Sequence, residues 1–290
     1  MTTDLIIGMA SGYNWDMLYP FVVSLRRTGY TGRCVLVFGT ATVAENNPKH
    51  KAANEDPSLL LEKLAEYGIE TLDIGSFDEH PNVFRFKVIS EYIKGAKDLR
   101  YVLTADTRDI VFQSNPFDWL ARNLGSSKLV VVSEAIQLKR CWPWRAITLE
   151  AFGHDVYYSM EETEICNAGV IAGTPEDVSE LLLGVYKMSN TDMRLKRFKV
   201  SYDDMPSDQA AMNIIIRKEP WASKTKIATV WDGFVFGAHH LNNISGLSYR
   251  MEGSSNYCFQ LHEASSPVTI LHQYDGVKEW QEAIRKKFNG

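Results

Sequence analysis

The sequence predicts an α/β protein built on a doubly wound, mostly parallel sheet. Short apolar runs alternate with stretches of helical period from residue 5 to about 134. The runs are continuous rather than alternately polar, as strands covered on both faces must be. Glycines stand where the helices should stop.

Leu5-Ile6-Ile7-Gly8-Met9 reads as the first strand, closing at Gly12. Asn14 then caps a helix in which Met17, Leu18, Phe21, Val22 and Leu25 recur at helical spacing, and Gly29 stops it. A second buried strand covers 34–38. Residues 40–57 are polar, contain Pro48 and Pro57, and read as a loop. A helix over 58–67 ends at Gly68, and 69–74 forms a third strand. A helix around 84–94 leads into the strand 100–104, and the valine-rich 128–133 supplies another. Beyond it, 135–165 holds Trp142, Pro143, Trp144, Tyr157 and Tyr158 with no clean period. A helix is expected over 175–188, with Thr174 as cap and Glu176 and Asp177 in its first turn. Another opens at Ser207-Asp208-Gln209, with Ser207 as cap, and runs to about Arg217. Residues 243–266 are rich in Ser, Gly and Asn and read as a long loop, followed by a strand over 267–272 and a final helix over 277–287. No repeat or linker interrupts the chain, so a single domain over 1–290 is expected, with halves at about 1–134 and 135–290.

The 290 residues are 45% hydrophobic and 23% charged, which excludes a disordered chain. A net charge of −5 argues against a nucleic-acid binder working through a broad basic face. The start, Met1-Thr2-Thr3-Asp4, lacks the positive charge of a signal peptide, and no apolar stretch approaches the ~20 residues of a spanning helix. Cys34, Cys141, Cys166 and Cys258 lie far apart with no CxxC pair, fitting neither a zinc site nor a disulfide framework. The sequon Asn243-Ile244-Ser245 carries no weight without a secretion signal. A cytoplasmic protein with no transmembrane segment is the expectation.

Four segments carry chemistry. In the first, the apolar run Tyr101-Val102-Leu103-Thr104 meets Asp106-Thr107-Arg108-Asp109. Two carboxylates at a strand's end can converge on Mg²⁺ or Mn²⁺, and sheets of this class bind ligands at that edge. A strand-end turn with Asp109 paired to an arginine is the competing reading. The second, Asn167-Ala168-Gly169-Val170-Ile171-Ala172-Gly173, is a small-residue strand that either lets a sugar approach the backbone or packs tightly in the core. The third, Ser207-Asp208-Gln209, places polar groups on a helix's first turn. The fourth, Leu271-His272-Gln273-Tyr274-Asp275-Gly276, ends a late strand in a histidine that is either structural or a ligand.

In this order the four segments resemble those of GT-A glycosyltransferases, especially bacterial and glycogenin-like ones, over roughly residues 3–280. The resemblance implies a GT-A-like fold and transfer of a sugar from a nucleotide-diphosphate sugar, UDP-sugar favoured, to a glycan or other hydroxyl acceptor. It implies Mn²⁺ or Mg²⁺ on Asp106, Asp109 and His272. Asn167, Asp208 and Gln209 would orient the donor sugar, with Asp208 or Glu134 as base if configuration inverts and no dedicated base if it is retained, the outcome toward which the glycogenin-like order leans. Gly12 and Tyr13 fall where such enzymes hold base and ribose, and Arg85, Lys87 and Arg108 where a cation meets the diphosphate. Glu134 and the tryptophans of 142–144 fall on the acceptor side, with core packing the favoured reading for Trp142. The usual metal motif of these enzymes is Asp-x-Asp, whereas this chain carries Asp-x-x-Asp with Arg108 where the second Asp would stand. Two other classes remain open: a nucleotidyltransferase making sugar nucleotides, although 8–13 lacks the basic residues of its loop, and a non-catalytic nucleotide- or carbohydrate-binding module.

Overall fold

Both faces of the first strand are apolar, and each meets its own layer of helices. In β1 (Thr3–Met9) Ile6 packs into one core, while Leu5 and Ile7 pack into the other. β2 (Arg33–Ala41) repeats the alternation, with Cys34 and Leu36 on the first side and Val35 and Val37 on the second. The computed structural model describes residues 2–41, 57–194, 205–251, 259–261 and 267–288. Most of the expected loop at 40–57 lies outside the described residues.

On the first face lie α1 (Trp15–Arg27), α2 (Pro57–Glu66) and, further along, α4 (Pro116–Asn123). The Asn14 side chain accepts from the Met17 N–H at 3.1 Å, the capping bond that the sequence predicts. After β3 (Glu70–Phe77), α3 (Pro81–Gly95) covers the second face with Phe86, Ile89 and Ile93. β4 (Leu99–Ala105) and the short β5 (Ile110–Phe112) bracket the acidic motif. β6 (Leu129–Gln137) precedes two helices, α5 (Trp142–Phe152) and α6 (His154–Met160), in the stretch where the sequence has no clean period. β7 (Glu164–Gly173), α7 (Pro175–Ser189) and α8 (Asp208–Ile215) follow, with α7 and α8 joining α3 on the second face.

Neither cap expected in this half makes a capping bond. The Thr174 hydroxyl donates to Asp177 at 2.6 Å instead, and the Ser207 side chain does not cap α8. The chain continues through α9 (Trp221–Lys224), β8 (Thr225–Ala228), β9 (Val235–Gly237) and α10 (His239–Asn243). It ends with β10 (Tyr249–Met251), β11 (Phe259–Leu261), β12 (Ile270–His272) and α11 (Lys278–Phe288). β10 and β11 pair antiparallel inside the stretch read as a long loop, of which 252–258 and 262–266 lie outside the described residues.

The main sheet runs β3-β2-β1-β4-β7-β6-β8. All its neighbours are parallel except β7, which lies antiparallel to both β4 and β6. The sheet is therefore mixed rather than wholly parallel, and the exception matters. Reversal of β7 brings its amino-terminal half, Asn167 to Gly169, beside the carboxyl ends of β4 and β6. The Asp106 N–H donates to the Gly169 carbonyl at 2.8 Å, locking the two together. A second sheet, β5-β12-β9, pairs His272 with Ile110 on one side and Gly237 on the other. It rests on an aromatic cluster of Phe236, Phe259 and Trp280. The two sheets thus converge on the acidic motif. No helix among the described residues is long and apolar enough to cross a membrane.

Candidate functional site

β4 ends in a buried Ala105 and releases the chain at Asp106, where the backbone turns before β5 begins. The turn faces Asp106 and Asp109 toward His272 at the end of β12. His272 Nε2 lies 3.5 Å from Asp106 Oδ2 and 3.6 Å from Asp109 Oδ1. One ligand atom from each of the three residues falls within 4.8 Å of the others. Among the described residues, Asp109 Oδ1 and His272 Nε2 are buried without a hydrogen-bond partner, although each such atom costs about 1–3 kcal/mol when left unsatisfied. A cation held between them would remove that cost. Two carboxylates and one imidazole make a mixed oxygen–nitrogen set that suits Mn²⁺ and accepts Mg²⁺.

Gly169 explains how three side chains share so small a space. A Cβ there would stand 2.5 Å from Asp106 Oδ2, 2.5 Å from the His272 ring and 2.8 Å from Asn167 Oδ1. The small residues of this strand thus make room for the acidic cluster itself, a different use from the close approach of a sugar to the backbone.

The charges are strongly coupled. Burial opposes an ionised Asp106, but the Arg85 guanidinium and His272 outweigh it and hold the carboxyl well below the usual range. Burial, joined by Asp106 and Asp275, pushes Asp109 up to about 6 against the pull of His272 and Arg108. Burial disfavours a charged His272, yet Asp109 and Asp106 raise it overall. The Arg85 Nη1 donates to Asp106 Oδ1, and its Nη2 stands 3.4 Å from Asp208 Oδ2. Asp208 therefore lies within the site, at the start of α8, with burial raising its carboxyl against Arg85. Asp109 is not the partner of Arg108, whose guanidinium pairs with Asp275 at 3.0 Å.

Beside the cluster is a second polar layer. Glu134 Oε1 accepts from Asn167 Nδ2 and from Gln209 Nε2, each at 2.9 Å. Its Oε2 takes no hydrogen bond from the described residues. Burial raises this carboxyl despite the two amides. Glu134 owes its direction to a bulge in β6: the register shifts after Ser133, Ala135 adopts φ 56, and the Ser133 hydroxyl accepts from the Ala135 N–H at 2.9 Å. Asn167 and Gln209 also brace β7, accepting from the Gly169 N–H at 2.7 Å and the Ala168 N–H at 3.2 Å.

In front lies a cleft of about 310 Å³, bounded by Met9, Ser11, Tyr13, Asn82, Arg85 and the 106–109 turn. Gly12, at φ 77, is the left-handed turn residue between Ser11 and Tyr13. Burial drives the Tyr13 phenol up to about 12, so it stays a neutral ring and donor. Of the residues that sequence reasoning selected, Lys87 is not brought here. Its ammonium sits over the rings of Phe84 and Tyr186 instead. Trp142 is 73% exposed, which overturns its reading as a core residue, and Trp144 packs against a cluster of Leu138, Tyr157 and Ile214, lining a small cavity with Gln209.

Sequence reasoning passed over three polar groups. The Ser11 hydroxyl lines the cleft without a partner among the described residues. His239 Nδ1 bonds Gln273 Oε1 at 2.7 Å and leaves Nε2 buried and unpartnered. Both ring nitrogens of His240 are engaged, Nδ1 by the Gly237 N–H and Nε2 by the Ser133 carbonyl, so it buttresses the Glu134 bulge. The adjacent histidines after a short apolar run were the available signal. Asn243, the sequon residue, donates to the Glu134 carbonyl at 2.7 Å. Cys34 and Cys166 are buried free thiols and Cys141 is half-buried, while Cys258 lies outside the described residues. No protein-family model matches the chain, and no curated protein is significantly similar to it.

Proposed function

We propose that this chain is a GT-A-like glycosyltransferase that moves a sugar from a nucleoside-diphosphate sugar to a hydroxyl acceptor, with a divalent cation on Asp106, Asp109 and His272. The observation that carries the reading is the pair of buried, unpartnered ligand atoms, Asp109 Oδ1 and His272 Nε2, facing each other beside an arginine-lined cleft. A mixed sheet with helices on both faces and its polar residues at the strands' carboxyl ends is compatible with that fold class.

The chemistry breaks the bond between the anomeric carbon and the diphosphate oxygen and forms one to the acceptor oxygen. A divalent cation, when bound, neutralises charge that develops on the departing diphosphate. Arg85 and Arg108 reinforce it from the cleft wall, since preorganised cations act most strongly where charge develops. The neutral ring of Tyr13 offers a face for the base. Asn167 and Gln209 fix Glu134 through Oε1 and leave Oε2 to take the acceptor's hydroxyl proton. Asp208, committed to Arg85, is the weaker candidate for that proton.

The test is a panel of UDP- and GDP-sugars with Mn²⁺, monitored for release of the nucleoside diphosphate. Release from one donor, accelerated by an acceptor glycan, is the expected result. Pyrophosphate turnover from a sugar phosphate and a nucleoside triphosphate would assign a nucleotidyltransferase instead. Saturable binding of UDP and Mn²⁺ with no turnover of any donor would leave a binding module.

A further inference from the structure

All three nitrogens of the Arg85 guanidinium are committed. Nε donates to the Asn82 carbonyl at 3.2 Å, Nη1 to Asp106 Oδ1, and Nη2 faces Asp208 Oδ2. The side chain is only 16% exposed and its guanidinium lies over the Phe86 ring, 4.8 Å from the centroid. Asp106 is thus shared: one oxygen belongs to Arg85, and the other faces His272. A divalent cation placed among Asp106, Asp109 and His272 would meet the guanidinium across a single carboxylate, as a like charge in a poorly hydrated space. Arg85 also lines the cleft, within reach of whatever anion enters it.

We propose that Arg85 is the resident counter-ion of the acidic cluster, competing with the divalent cation for Asp106 and turning onto an incoming diphosphate while keeping Asp208 as its anchor. The proposal rests on the transferase reading above and adds a coupling between its two ligands. The cation alone must share Asp106 with Arg85 and binds weakly. The diphosphate gives Arg85 a new anionic partner, frees Asp106 and so tightens the cation. By linkage, the cation tightens the diphosphate by the same factor. Arg85 therefore disfavours a cation-loaded site with no nucleotide in it.

The test measures Mn²⁺ binding by electron paramagnetic resonance of the free ion, with and without saturating UDP, in the wild type, Arg85→Met and Arg85→Gln. In the wild type, UDP tightens Mn²⁺ by roughly 5–150-fold, the usual span of such couplings. With the guanidinium gone, Mn²⁺ alone binds about tenfold tighter, and the UDP effect shrinks by a similar factor. Two uncharged replacements are used so that one folded variant, judged by circular dichroism, is enough. Mn²⁺ binding alone that is unchanged or weaker in a folded variant overturns the role of Arg85 and leaves it a simple support for Asp106, with the transferase reading intact. A wild type that binds neither Mn²⁺ nor UDP overturns both.

Discussion

Asp109 holds its carboxyl in a crowd of other acids, and the consequence is a pH dependence of definite sign. Its folded value of about 6 lies above the ordinary carboxyl value near 4, so folding favours the protonated form relative to the unfolded chain. The stability this residue contributes is present at low pH and is lost as pH rises from about 4 through 6. Asp109→Asn removes the buried charge, so at pH 8 without cation the variant should melt roughly 2–4 °C higher in calorimetry. It should also lose the stabilisation that Mn²⁺ gives the wild type. Mn²⁺ must displace protons from both His272, whose value is raised, and Asp109, so its affinity should fall as pH drops through neutrality and fall more steeply, by more than tenfold per pH unit, below about 6. Glu134→Gln keeps an oxygen for the two amides but takes away the base. Transfer should drop about 10²–10⁴-fold while the affinities for UDP and Mn²⁺ stay within a factor of two or so, which steady-state kinetics beside calorimetric titration will show.

At the scale of elements, β7 ties fold to site. Gly169→Ala would put a methyl group where Asp106, Asn167 and His272 already meet. The expected outcome is a chain folded by circular dichroism, destabilised by about 1–3 kcal/mol, with Mn²⁺ affinity at least tenfold weaker. A variant with undiminished affinity would show that the cluster does not close around this strand. The elements themselves were largely legible. Continuous apolar runs marked β1, β2, β4 and β6, and Asn14 and Gly29 marked the limits of α1, because these signals are local in sequence. Reversal of β7 was not legible, since a continuous apolar strand reads alike in either direction. Nor was the β6 bulge, which depends on Ser133 and on support from His240, 107 residues away. Asp106 and Asp109 stood out at a strand's end, and His272 was grouped with them only through the family resemblance. Lys87 was misplaced because helical spacing alone does not fix which side of α3 meets the cleft. The Arg85–Asp208 pair spans 123 residues and has no local signature.

For the molecule as a whole, two sheets of different origin meet at one point. The main sheet brings Asp106, Asn167 and Glu134 to its carboxyl edge, and the small sheet delivers His272 beside Asp109. A cation held by both would join the two halves of the chain, so Mn²⁺ should slow hydrogen exchange in β12 as well as in the 106–109 turn. The most direct test of the account is pulsed electron paramagnetic resonance of Mn²⁺ bound to the protein. The account predicts modulation from one imidazole nitrogen, abolished in His272→Gln and retained in His239→Gln. Bound Mn²⁺ without a nitrogen signal, or with one that survives His272→Gln, would contradict it.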